Sequence, residues 1–315
     1  MSIVYNEPNL VLEKNAIALL QIMINDKFIT LIADNHDHHM TKECAPDKKI
    51  ETMADFCYKE LQHNHNAYLF LEYYLNSNPE EILTPSVLRV YHTCIMSFPH
   101  RVRYADYRDQ YETDQTIRKS FIDNQIKYLY SEERDFFSLF RAGVNIIRDY
   151  KLDILKQKIN MIVFDRVSEL TGQDLISWMQ NPINEMLFNA RSEILMYLET
   201  PIKGVIDLII HRSTEVAVQQ KIREYLRLIY QKVSDMELVK VITSPTLSSN
   251  QSIVIIGMDH AKFIKKMLVD MYPKRGTSCI LTPWKVRYEE ITKTVNDCLS
   301  LYKVVLSDPK LCEKN

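Results

Sequence analysis

Two short clusters of acidic and histidine residues follow apolar stretches near opposite ends of the chain. The first, ADNHDHH, occupies residues 33–39, and the second, GMDH, occupies residues 257–260. Carboxylate oxygens and neutral imidazole nitrogens are ligands that zinc, manganese, cobalt and similar divalent ions take in proteins. These residue types therefore predict a divalent metal site. Its candidate ligands are His36, His39, Asp259 and His260.

The position of both clusters at the ends of predicted strands supports this prediction. Residues 28–34 and 252–257 are nearly continuous apolar runs, which are typical of strands buried on both faces of a parallel sheet. Ligands of open α/β sheets bind outside the carboxyl ends of the strands, so we expect both clusters to face one crevice. A polar, solvated loop is the alternative interpretation of the first cluster, and a helix N-cap is the alternative role of Asp259.

Two further acidic residues and one arginine are candidates for catalytic roles. Glu72 ends the apolar run of residues 68–72, and a carboxylate at the end of a buried strand is costly unless it is paired or functional. Asp106 and Arg108 lie at the end of a stretch with alternating polarity, and arginine is suited to bidentate binding of a carboxylate or phosphate. A structural ion pair is the alternative role of each residue. The partners considered for Glu72 are Arg101, Arg103 and Arg108.

The hydrophobic pattern predicts an α/β fold with a mostly parallel central sheet flanked by helices. The predicted strands are residues 28–34, 67–72, 101–106 and 252–257, with a further short strand at 279–281. The predicted helices of this part are residues 9–24, 49–63, 86–96, 259–272 and 288–302.

The middle of the chain has a different character. Strand signals fade after about residue 111, and helical periodicity dominates up to residue 241. We interpret residues 112–241 as a large all-helical insertion or subdomain within one α/β domain formed by residues 1–111 and 242–315. Helix boundaries are predicted where residues that disfavour helix interiors occur. These residues are Gly172, Pro182, Pro201 and Gly204.

Composition excludes several functional classes. Lysine and arginine total 39 against 41 acidic residues, so the net charge of -2 supplies no field for nucleic acid or an anionic membrane. The five glycines form neither a phosphate-binding loop nor a dinucleotide turn. No apolar run approaches the ~20 residues that span a bilayer. The first residues show no secretory signal, so we expect a cytoplasmic protein whose cysteines are reduced thiols.

The strand-end motifs resemble those of a known superfamily, which comprises the TraB/TIKI proteins, the ChaN-type haem-binding proteins and the erythromycin esterases. These proteins share a first strand ending in Gly-x-x-His, often Gly-Glu-x-His, a second strand ending in glutamate, and a late strand ending in Gly-x-x-His. The resemblance covers about the first 110 residues and residues 250–275. The chain departs from the family at Ala33 and at Asp34. The matching segments are residues 33–36, 71–72 and 257–260.

The resemblance implies a metal-dependent hydrolase. It implies that His36 and His260 are metal ligands, and that Asp34 or Glu72 is a further ligand or the general base. Residues 104–108 and the lone Cys44 are also similar to uncharacterised members of this kind from large DNA viruses.

The sequence therefore predicts two main alternative functions. The first is hydrolysis of an ester or amide bond in a small-molecule or peptide substrate. The alternative is a catalytically inactive structural or interaction protein, for example a virion component that self-associates or binds other virion proteins through some of its 18 tyrosines and 11 phenylalanines. Such a protein would be found in the host cytoplasm or the virion. Haem binding through the same histidines is a third possibility.

Overall fold

The computed structural model describes residues 10–11, 16–34, 53–108, 152–211, 215–273, 278–280, 285–286 and 303–304. The chain forms two compact units. One unit comprises Met1–Asp106 and Val241–Asn315, and the other comprises Tyr107–Lys240.

The first unit is built on a seven-stranded mixed sheet, which confirms the α/β class. Four contiguous strands are parallel, in the order β5-β4-β6-β3, and this part of the sheet has the predicted parallel character. These strands are β3 (Lys27–Asp34), β4 (Ala67–Leu71), β5 (Val102–Tyr104) and β6 (Gln251–Gly257).

An antiparallel part of the sheet begins beyond β3. The strand β2 (Ala16–Ile24) pairs with β3 on one side and with β7 (Ser278–Ile280) and β8 (Lys285–Val286) on the other. The predicted strand at 279–281 corresponds to β7. A separate two-stranded ribbon joins β1 (Leu10–Val11) to β9 (Lys303–Val304).

The predicted helix over residues 9–24 is wrong, because its second half is β2. All residues of the segment AIALLQIMI except Gln21 are apolar, so helical and strand periodicities both fit it, and periodicity alone does not separate them. The missed signal is the two-residue turn after the strand. Asn25 adopts a positive φ of 49°, which asparagine tolerates, and Ile24 then pairs with Lys27 in a tight hairpin.

Helices cover the sheet of the first unit. They are α1 (Met53–His63), α2 (Pro79–Ile82), α3 (Pro85–Ile95) and α8 (Met258–Lys265), the last continued by a π-helical segment (Lys266–Met271). Side chains of α1 and α3 form one apolar cluster with alternate residues of the strands, because successive strand side chains point to opposite faces. The buried strand members of this cluster include Ile32, Leu69, Leu71, Ile253 and Ile255. The predicted helix at 288–302 lies outside the described residues.

Four helices lie wholly or mostly in the second unit. They are α4 (Leu152–Phe164), α5 (Gly172–Trp178), α6 (Pro182–Ile210) and α7 (Glu215–Thr243). Gly172 and Pro182 begin helices, as predicted. Pro201 and Gly204 lie inside α6, so the boundaries predicted there are wrong: a long helix tolerates an internal proline at the cost of one backbone hydrogen bond. In the part of the chain that the structure describes, no helix has the length and apolarity needed to cross a membrane.

The buried Arg191 organises the packing of α4 against α6. Its Nε donates a hydrogen bond of 2.9 Å to Asn160 Oδ1, and its guanidinium also pairs with Glu169. The same group lies 5.6 Å from the ring centre of Phe164 and 5.9 Å from that of Phe188. The charge is thus paired and flanked by aromatic faces, which is how an arginine is accommodated among apolar helices.

We expect truncation of the central side chain of β4 to destabilise the first unit. Leu69 is fully buried in the cluster shared with α1 and α3, so Leu69→Ala should lower the free energy of unfolding by about 2–5 kcal/mol through the cavity it leaves. Met96→Ala is the control, because Met96 is 85% exposed. Urea unfolding followed by circular dichroism measures both variants, and equal stabilities would contradict this packing.

Candidate metal centre

The carboxyl ends of β3, β4, β5 and β6 lie at one edge of the sheet, because these strands are parallel. Asp34 at the end of β3 is in register with Gly257 at the end of β6. Leu71 at the end of β4 is in register with Ile255 and with Tyr104. Asp34, Glu72, Asp106 and His260 are therefore brought to the same edge, as the strand-end positions predict for these residues.

Backbone hydrogen bonds set the positions of the two acids that follow β4 and β5. The carbonyl oxygen of Leu71 accepts a 2.8 Å bond from the N–H of Tyr73 and a 2.7 Å bond from the N–H of Ala105. Glu72 lies between Leu71 and Tyr73, and Asp106 follows Ala105. One carbonyl group thus holds both chain segments beside each other.

Glu72, Asp106 and His260 form a cluster at this edge, which we call the carboxylate–histidine cluster. One potential ligand atom from each residue lies within 4.8 Å of those from the other two. His260 Nε2 is 3.3 Å from Glu72 Oε1. Asp106 is 1% exposed and His260 is 4% exposed, while the Glu72 side chain is 12% exposed.

The junction between β6 and α8 positions both His260 and Glu72. Gly257 ends the strand and is also the N-cap of α8, so His260 falls in the first helical turn and is buried. The backbone N–H of Gly257 donates a hydrogen bond to Glu72 Oε2. This contact leaves Glu72 Oε1 facing the imidazole.

Asp259 is placed differently from its neighbour His260. Successive helical residues point about 100° apart, and the Asp259 side chain is 68% exposed, with an ion pair of 3.7 Å to Lys262. It is not a member of the carboxylate–histidine cluster. It is not the N-cap either, because α8 already begins at Met258.

The carboxylate–histidine cluster has the donor chemistry of a divalent cation site. Two ionised carboxylates close together at a buried site repel each other, and an imidazole whose Nε2 carries no proton would place a third electron pair beside them. A cation among the three ligand atoms would relieve this repulsion. Mixed oxygen and imidazole donors suit zinc, manganese and cobalt, so these residues fit the class of metal that the sequence predicts.

Two of the three arginines considered as partners of Glu72, Arg101 and Arg103, have other contacts. Arg101 donates hydrogen bonds of 2.6 and 3.0 Å to the carbonyl groups of Leu61 and Asn64, and it lies 4.2 Å from the ring centre of Phe98. It thus lies at the amino ends of β4 and β5, whereas Glu72 follows the carboxyl end of β4. Arg103 lies 4.6 Å from the ring centre of Tyr68. Arg108 is half-buried and belongs to the second unit.

Asp34 lies at the same edge but has a different neighbour. It is buried at the end of β3, and its Oδ2 accepts a 2.8 Å hydrogen bond from Thr84 Oγ1. Thr84 is the buried N-cap residue of α3, yet its hydroxyl makes no capping bond to the helix. Sequence reasoning missed Thr84. The Thr-Pro pair signals a helix start, but nothing local signals a contact with a residue 50 positions away.

A cleft connects these features. Asp34, Glu72 and Thr84 line it together with Leu83, Val87 of α3 and apolar residues of β6, and it has room for about one water molecule. Glu72 belongs to both the cleft and the carboxylate–histidine cluster. His36 and His39 lie outside the described residues.

Tyr73 directly follows Glu72 and packs among other tyrosines. Its ring centre is 5.9 Å from that of Tyr91, in an edge-on arrangement. Burial, and then the neighbouring Tyr91 and Tyr104, raise the pKa of Tyr73 to about 12. The phenol therefore stays protonated throughout the neutral range.

We expect the hydroxyl of Thr84 to contribute to stability. Thr84→Val removes the donor to a buried carboxylate and should lower the free energy of unfolding by about 1–3 kcal/mol. Thr84→Ser keeps a hydroxyl and should stay closer to the parent. Urea unfolding at pH 7 measures both variants. A valine variant as stable as the serine variant would show that the hydrogen bond contributes nothing.

We expect Tyr73 to steepen the loss of stability in alkali. In the unfolded chain a tyrosine loses its proton near pH 10, whereas folded Tyr73 keeps it up to about 12. The stability contributed below pH 10 is therefore lost as the pH rises from about 10 to 12. Tyr73→Phe should show a shallower decline across this window in urea unfolding, with Tyr197→Phe as the control. A parallel decline in parent and Tyr73→Phe would contradict the shift.

Comparison of the chain with protein-family models, curated proteins and solved structures finds no match. The resemblance to the TraB/TIKI, ChaN and erythromycin esterase superfamily therefore stays a prediction from the strand-end motifs.

Proposed function

We propose that the protein is a metal-dependent hydrolase of ester or amide bonds, with a divalent metal ion held by Glu72, Asp106 and His260. The observation that carries this proposal is the approach of three ligand atoms to within 4.8 Å of one another at the carboxyl edge of the sheet. The burial of two of these residues and the near burial of the third support it, because charged groups are seldom buried unless they are paired, and a cation would pair both carboxylates.

The proposed roles follow from the contacts of each residue. The N–H of Gly257 holds Oε2 of Glu72, and Oε1 faces His260 Nε2 at 3.3 Å, where an ion would be held between the two side chains. A divalent ion at this position would act as a Lewis acid, polarising the scissile carbonyl group and making a water molecule more acidic. Asp34, which is held by Thr84 and lines the adjoining cleft, would accept the proton of the attacking water.

The proposed reaction is a simple hydrolysis. The water oxygen forms a bond to the carbonyl carbon, and the bond between that carbon and the alcohol or amine breaks. The proton taken by Asp34 passes to the leaving group, so the products are a carboxylic acid and an alcohol or amine.

We also propose that the second unit is a helical insertion in the chain between β5 and β6.

Metal analysis tests the site. We expect protein purified without chelator to contain about one zinc, manganese or cobalt ion per chain, measured by mass spectrometry of the metal. Glu72→Gln, Asp106→Asn and His260→Ala should each weaken metal binding by more than about 10–100-fold, the effect of removing even an outer-shell partner. His92→Ala and Glu80→Gln are matched controls, because both side chains are largely exposed.

Two outcomes would contradict the proposal. One is full metal content in the Glu72→Gln and Asp106→Asn variants, which change only charge and donor type. The other is a metal-free parent that binds none of the three ions on titration, which would instead favour the structural or interaction role. A His36→Ala variant shows whether His36 is a further ligand, as the motif implies.

A further inference from the structure

The cleft beside the carboxylate–histidine cluster has a polar side and an apolar side. Asp34, Glu72 and Thr84 line the polar side, and both Asp34 and Thr84 are buried. Because the cleft has room for about one water molecule, its described walls accommodate neither an organic substrate nor a cofactor. Aliphatic side chains near the start of α3 and the end of β6 line the apolar side. These are Leu83, Val87, Ile255 and Ile256.

The side chains on the polar side of the cleft present oxygen atoms that accept hydrogen bonds. The Thr84 hydroxyl donates its one proton to Asp34 Oδ2 at 2.8 Å, so its oxygen has only lone pairs left to offer. The ionised carboxylates of Asp34 and Glu72 are also acceptors only. A single water molecule suits this lining, because it donates two hydrogen bonds and a buried water needs about two to four polar partners.

The same acceptors would orient the water. When both of its protons point to the lining oxygen atoms, its own lone pairs point away from them. Glu72 belongs to the cleft and to the carboxylate–histidine cluster, so the water would lie next to the proposed metal site. A water in the cleft is therefore placed to act as a nucleophile, with Asp34 as its hydrogen-bond partner.

We propose that the cleft is the acceptor subsite of the hydrolase, which holds the attacking water and excludes larger nucleophiles. The proposal rests on the proposed function, in which Asp34 takes the proton of this water. In methanol a methyl group replaces one proton of water. That group would meet an oxygen atom of the polar side without a hydrogen bond, and it would need space that Val87 and Ile255 occupy. Acyl groups are therefore released to water and not transferred to alcohols.

A crystal structure of the metal-loaded parent tests the occupant of the cleft. We expect one ordered water about 2.7–2.8 Å from oxygen atoms of Asp34, Glu72 and Thr84. A calcium or magnesium ion at this place would show oxygen distances of about 2.0–2.6 Å and would overturn the proposal. A cleft that contains no ordered water would overturn it as well.

Acceptor selectivity is measured in a mixture of water and methanol. Metal-loaded parent, Val87→Ala and Val90→Ala receive p-nitrophenyl acetate, and NMR quantifies the acetic acid and the methyl acetate formed above the uncatalysed reaction. In both reactions the acceptor oxygen bonds to the carbonyl carbon, its proton goes to Asp34, and nitrophenolate leaves. Val90 is the control position, because it is also buried on α3 but is not among the residues that line the cleft.

We expect the parent and Val90→Ala to form almost only acetic acid. Val87→Ala removes two methyl groups beside the cleft. It should raise the ratio of methyl acetate to acetic acid about tenfold or more, since one methylene group is worth about 10–200-fold in an apolar pocket. Equal ratios in the two alanine variants, or abundant methyl acetate from the parent, would overturn the acceptor subsite while leaving hydrolysis intact.

A variant that fills the cleft gives a second test, which does not depend on the folding of Val87→Ala. Val87→Ile adds a methyl group where the water would lie and should lower kcat at least about tenfold with unchanged metal content, whereas Val90→Ile should not. An unchanged kcat in Val87→Ile would contradict the proposal.

The crystal structure separates the two proposals if the metal-loaded parent cleaves neither p-nitrophenyl acetate nor the matching anilide. That result would overturn the proposed hydrolase. A water bonded to Asp34, Glu72 and Thr84 would then still support the water-sized subsite, and its absence would overturn the subsite too.

Discussion

The parallel pairing of β6 between β3 and β4 is the constraint on which the rest of the first unit depends. Every residue of β6 is buried, and its hydrogen bonds set the register of both neighbours. That register aligns Asp34 with Gly257 and Leu71 with Ile255. The acids after three strands and the histidine after the fourth therefore meet at one edge.

The backbone of the surrounding fold holds the carboxylate–histidine cluster in place. Glu72 and Asp106 come from strand ends held by a single carbonyl group, and His260 is held in the first turn of α8. Backbone geometry thus keeps two carboxyl groups and an imidazole close together at a site with little solvent. The same arrangement would give a cation a preformed set of oxygen and nitrogen donors.

Much of the first unit was predictable because its signals are local. β3, β4, β5 and β6 are short apolar or alternating runs with clear ends, and the prediction placed acids and a histidine at those ends. The failures occur where the local signal is ambiguous. The segment 16–24 is apolar except at Gln21, so its pairing with β3, β7 and β8 decides that it is a strand. Pro201 marks no boundary, because α6 continues through it.

The sequence by itself determined the chemistry available at the strand ends: carboxylates, imidazoles and the absence of glycine-rich nucleotide motifs. Only the tertiary structure decided which of these groups meet. It joins Asp106, Glu72 and His260, turns the adjacent Asp259 outward, and brings Thr84 to Asp34. The physical reason is that hydrophobic periodicity reports only which residues of one segment are buried. Strand order, and which side chains the first turn of a helix brings to the sheet edge, depend on pairing between residues far apart in the chain.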